Sequence, residues 1–93
     1  MPKFLIEVEH QADLVECARV VGIFLATGSH FLTHADWGCT DGEHFAWITV
    51  EVDSKEQALA ILPPAFRSHA KIVALNKFAV EQIDGKSVFK PSF

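Results

Sequence analysis

The dipeptide Asp41-Gly42 lies between two stretches that both read as extended, His30 to Cys39 and Glu43 to Val52. Asp-Gly between β-rich segments is a strong short-range hairpin signal, and a hairpin settles which side chains can share a face. With an even number of loop residues, position i opposes position 83 minus i, and opposed residues lie on one side of the sheet. One side then collects Phe31, Thr33, Ala35, Trp37 and Cys39 with His44, Ala46, Ile48, Val50 and Val52. The other collects His30, Leu32, His34, Asp36 and Gly38 with Phe45, Trp47, Thr49 and Glu51. The first set is the expected core face. An odd loop would turn His34 toward Ile48, a mismatch that favours the even register.

The remaining periodicities extend this hairpin into a fold. Lys3 to Glu9 alternates Phe4, Ile6 and Val8 with Leu5, Glu7 and Glu9, the period of a half-buried strand. Ala12 to Thr27 changes to helical spacing, with Leu14, Ala18, Val21 and Leu25 as its apolar stripe and Gly28 as its stop. Ser54 and Gln57 form a capping box before the apolar run Ala58 to Leu62, which Pro63-Pro64 ends, with room for a short turn from Pro64 to Phe66. Ala70 to Ile83 is a final β-rich stretch. The order β-α-β-β-α-β predicts an α+β domain of the ferredoxin-like split βαβ type over residues 1–83. Its four-stranded antiparallel sheet carries both helices on one face, and residues 84–93 form a C-terminal tail.

Charge and composition narrow the function classes. Eight Lys and Arg against twelve Asp and Glu leave a net charge of -4, the wrong sign for a protein held by nucleic-acid phosphates or by an anionic membrane surface. The longest apolar run, Val20 to Ala26, is seven residues and contains Gly22, against the roughly 20 that a spanning helix needs. Carboxylates follow Met1 too closely for a signal peptide, so the expected location is cytoplasmic and Cys17 and Cys39 are expected as reduced thiols. No phosphate loop, nucleophile elbow or Walker lysine occurs in the sequence.

The face away from the helices is the informative one. It presents Leu32, Phe45 and Trp47 with Leu5, an apolar patch that a second copy of the same sheet would cover, so a homodimer through this open face is expected. The cleft between sheet and partner would be lined by Glu7, His34, Asp36, Phe45, Trp47 and Thr49 and would take a small-molecule ligand. His34 and Asp36, roughly 6.6 Å apart along a strand, suit an imidazole oriented by a carboxylate, either as a ligand-binding pair or as the general base of a small enzyme. A face that only recognises another protein is the third alternative. His30 and His34 share the spacing H-x-x-x-H, but on a strand they stand roughly 13 Å apart, too far for one ion.

The fold order also brings His10, Cys17, Cys39, His44 and His69 to one pole. Cys39 and His44 are directly opposed there, the start of a zinc-type or nickel-type site. Against this stands the structural reading, a small core thiol and a solvated imidazole with no cofactor, which the spacing alone favours.

Met1-Pro2-Lys3-Phe4-Leu5-Ile6-Glu7 and Phe31-Leu32-Thr33-His34, taken with the element order over residues 1–83, resemble small bacterial proteins of the ferredoxin-like, dimeric α+β type. Nickel-binding proteins, muconolactone isomerases and antibiotic-biosynthesis-type monooxygenases are among the relatives of that group. The opening segment is similar to that of the nickel-binding members, and the resemblance implies a homodimer with His34 as a metal ligand.

Overall fold

The computed structural model describes residues 1–79. Alternation along Lys3–Glu9 forms β1, in which Phe4, Ile6 and Val8 are buried and the intervening side chains are not. Phe45–Glu51 forms the matching strand β3, whose buried Ala46, Ile48 and Val50 stand opposite Val8, Ile6 and Phe4. Between them in sequence lies the two-residue strand β2, Asp36–Trp37, and the last described strand is β4, Ala70–Leu75. The four strands form one antiparallel sheet in the order β2-β3-β1-β4, an α+β arrangement compatible with a split βαβ fold.

The described residues also include three α-helices: α1, Leu14–Ala26; α2, His30–Thr33; and α3, Lys55–Ala60. Asp13 caps α1 by accepting from the Glu16 amide at 2.7 Å, and Ser54 caps α3 by accepting from the Gln57 amide. The core joins Phe4, Ile6, Val8, Ala46, Ile48 and Val50 of the sheet to Val20 and Phe24 of α1, Leu32 of α2, and Ala58, Leu62 and Phe66. Burying a side chain such as Phe24 or Ile6 contributes about 1.5–3 kcal/mol, so this stripe supplies most of what holds helix to sheet. Among the described residues no helix is long and apolar enough to cross a membrane.

Several expectations are corrected. His30 to Thr33 is helical, because Gly28 at φ +69° ends α1 and Ser29 caps a new turn by accepting from the Leu32 amide. The turn sends Leu32 into the core at 2% exposure and leaves Phe31 outside, the reverse of the strand assignment. It also brings the His30 and His34 rings to 4.6 Å, where a strand would hold them far apart. On α1 the buried stripe is Val20 and Phe24, while Leu14 and Leu25 are 82% and 56% exposed. The helix is turned to bury the larger Phe24 ring, which meets Trp37 and Phe66 edge to face. The turn after Pro63 runs on as a 3-10 helix from Pro64 to His69, beyond the expected Phe66. The final strand ends at Leu75, and the expected strand residues 80–83 and the tail 84–93 lie outside the described residues.

The hairpin register stands where the strand exists, with Asp36 opposite Trp47 and Trp37 opposite Ala46. A 3-10 turn, Cys39–Asp41, and Gly42 at φ +81° make the connection. Gly38 sits under the Trp47 ring: a Cβ built there would lie 2.7 Å from the Glu43 carbonyl oxygen and 2.7 Å from Trp47 Cζ3. Backbone cannot move aside as a flexible side chain can, so Gly38→Ala should lower stability by about 1–3 kcal/mol. Gly22→Ala, in α1 with nothing among the described residues within 4 Å of its Cβ position, should raise stability by up to about 1 kcal/mol. Urea titrations of the two variants beside the parent chain check both signs.

Candidate metal centre

The parity that buries one face of the sheet continues past its regular end. His10 follows β1 and His44 precedes β3, and the His10 amide donates to the His44 carbonyl at 3.0 Å, one step beyond the Glu9 to Phe45 pair. Both residues thereby extend the rows of Val8 and Ala46, so their imidazoles turn to the helix side rather than to the open face. The rings stand edge to face, with centroids 5.6 Å apart.

Two sulfurs reach the same place from other elements. Cys17 is in the first turn of α1, its amide bonded to the Asp13 carbonyl at 3.0 Å, and Cys39 opens the 3-10 turn after β2. The structure corrects the expectation of two free thiols, since Cys17 and Cys39 are joined as a disulfide. His10 Nε2 lies 3.2 Å from Cys39 Sγ. One ligand atom from each of His10, Cys39 and His44 falls within 4.8 Å of the others, and all three residues are half-buried. In a tetrahedral site with N and S ligands at about 2.1 and 2.3 Å, neighbouring donors stand roughly 3.4–3.8 Å apart, a spacing that this trio would reach by small side-chain rotations once the sulfur is a thiolate.

The surroundings are poorly suited to leaving these groups alone. Trp37 meets the His10 ring at 5.9 Å and links it to Phe24 and the core. Nδ1 of His10 and Nδ1 of His44 are both buried without a hydrogen-bond partner among the described residues. Leaving such a nitrogen without a partner costs about 1–3 kcal/mol. Burial, helped by the neighbouring His44, holds the His10 pKa below its ordinary value, with Glu16 and Asp13 acting weakly the other way. An open cleft of about 750 Å³ adjoins the pair, with Glu16, Arg19, Phe66 and His69 also on its wall.

The residues expected around an open-face cleft are divided. Across the sheet run Lys71, Glu7, Trp47 and Asp36 in register, and Trp47 Nε1 donates to Glu7 Oε1 at 2.9 Å. Phe45 stacks on Trp47 at 5.7 Å, and Thr49 follows on the same face opposite Leu5. Both rings are half-buried on the side away from the core. His34 is elsewhere: it caps α2, and its Nδ1 lies 2.6 Å from the His30 carbonyl oxygen. The strand spacing that would have set it beside Asp36 does not exist. Of the residues expected at the pole, His10, Cys39 and His44 lie together, with Cys39 in a 3-10 turn and not in the expected strand pairing with His44, while His69 only borders the cleft. His10 could have been singled out from sequence by carrying the β1 alternation one position beyond Val8.

Comparison with protein-family models, curated proteins and solved structures finds no match for this chain.

A histidine whose folded pKa is lowered adds stability that is whole above the unfolded value of 6.5 and is lost as pH falls through that value toward the folded one. In metal-free protein, the melting temperature should therefore fall between about pH 7.5 and pH 5.5. His10→Asn should flatten that fall, and an equal fall in both proteins would contradict the role given to His10.

Proposed function

We propose that this protein binds a transition metal of the zinc or nickel type, held by His10, Cys39 and His44. The observation that carries the reading is the convergence of two imidazoles and a sulfur within 4.8 Å at the end of one strand pair. Imidazole and thiolate select zinc, nickel and their neighbours, whereas magnesium and calcium take oxygen ligands. The sulfur serves only as thiolate, so the metal-loaded form is the reduced one and belongs to a reducing compartment such as the cytoplasm. The strand order β2-β3-β1-β4 also supports the ferredoxin-like split βαβ reading, with the resemblance to nickel-binding members consistent with it.

The measurement is metal content and affinity of untagged, reduced protein. It should take up one equivalent of Zn²⁺, and His10→Ala and His44→Ala should each weaken uptake roughly 100-fold or more, since each removes an inner ligand. A folded, reduced protein that takes up no Zn²⁺ or Ni²⁺ would contradict the reading.

The open face supports a second statement, that two copies pair through it. The stacked Phe45 and Trp47, with Leu5, Val73 and Leu75 on neighbouring strands, form an apolar surface across the middle of the sheet. Glu7, Asp36 and Thr49 would edge the small-molecule cleft between the copies. Light scattering after gel filtration should give a dimer for the parent chain and a monomer with unchanged circular dichroism for Phe45→Glu; a monomeric parent would contradict the pairing.

A further inference from the structure

We infer that Cys17 is the fourth ligand of this centre and that the Cys17–Cys39 disulfide is its oxidised, metal-free state, so that the thiol status of the pair decides whether metal is held. The inference rests on the metal reading above and adds to it a ligand and a control.

The Cys17 sulfur is bonded to the Cys39 sulfur, which in turn stands 3.2 Å from His10 Nε2. Three donors, from the end of β1, the turn after β2 and the residue before β3, lie within 4.8 Å of one another, and the fourth, Cys17 Sγ from the first turn of α1, is bonded to the sulfur of that trio. Two imidazoles and two thiolates are the donor set of a closed tetrahedral zinc site. The scaffold is already assembled, because the ladder fixes His10 opposite His44 and the Asp13-capped turn fixes Cys17. Sulfurs that share a zinc ion stand roughly 3.8 Å apart and bonded sulfurs about 2.05 Å, a difference that side-chain rotation spans.

The same four atoms explain why the two states exclude each other. In the disulfide neither sulfur carries the negative charge that a metal takes, and only two imidazoles remain as donors. A dithiol reductant gives two electrons and two protons to the S–S bond, becoming a disulfide itself and leaving Cys17 and Cys39 as thiols. Binding of Zn²⁺ then sends those two thiol protons to solvent. In reverse, a small disulfide oxidant such as glutathione disulfide accepts two electrons from the two thiolates and takes up two protons to become two thiols. The Cys17–Cys39 bond forms, and the zinc ion leaves without any change in its own oxidation state.

The test titrates Zn²⁺ and Co²⁺ into the full chain in three forms: oxidised parent, parent reduced and freed of reductant, and reduced Cys17→Ser. The reduced parent should bind one ion, and its Co²⁺ form should show sulfur-to-metal charge transfer from two thiolates. Cys17→Ser should bind roughly 100-fold more weakly with about half that intensity, and the oxidised parent should not bind at the same concentrations. Glutathione disulfide should release zinc from the loaded parent, with mass spectrometry showing the loss of two hydrogens from the released chain. Equal affinity and charge transfer for Cys17→Ser and the reduced parent would remove Cys17 as a ligand while leaving the metal reading intact. Retention of zinc by the oxidised parent, a measurement that needs no variant, would overturn the control. A reduced parent that binds neither ion would overturn both readings together.

Discussion

The pairing of β1 with β3 is the constraint from which the rest follows. Phe4, Ile6 and Val8 face Val50, Ile48 and Ala46 across seven consecutive pairs, and every one of those apolar side chains turns to the same side. A slip of one residue would carry one of the two rows to the opposite face and set Glu7 or Trp47 against the helices, so burial enforces the register strongly. The consequence for chemistry lies at the ladder's end. Once Val8 and Ala46 are fixed, His10 and His44 have no choice but to oppose each other on the helix side.

Packing then brings the sulfurs to the imidazoles. Phe24 and Trp37 form an edge-to-face contact that runs on to His10, tying the orientation of α1 to the position of the hairpin. With Phe24 buried, Cys17 lies two turns earlier on the same helix face and meets Cys39. The apolar core and the polar pole are thus one construction, in which aromatic rings place the donor atoms and partly exclude water from them. A site of that kind gains from ligands that satisfy its nitrogens, since a buried imidazole left unpaired is costly.

Legibility from sequence followed the strength of the local signal. The two-residue alternation of β1 and β3 and the hairpin sum of 83 were readable because each is fixed by many side chains at once. Residues 30–34 were not, because a β-branched and aromatic run after Gly28 suits a strand as well as a turn of helix. Of the deciding interactions, the Ser29 cap is local and was legible as a serine directly after Gly28, whereas the burial of Leu32 is tertiary. That one reversal removed His34 from the sheet and with it the proposed His34 and Asp36 pair. The stripe of α1 was misplaced for a similar reason: Leu14, Ala18, Val21 and Leu25 have helical spacing, but so do Cys17, Val20 and Phe24, and the larger ring decided. At the pole, the choice of His10 over His69 required the β1 register, and the joining of Cys17 to Cys39 required the rotation of α1.

Zinc-edge X-ray absorption of the reduced, zinc-loaded chain reports the ligands of the ion without reference to any variant. The expected result is a four-coordinate shell of two sulfurs at about 2.3 Å and two imidazole nitrogens at about 2.0–2.1 Å. A shell of oxygens alone, or one without sulfur, would contradict it.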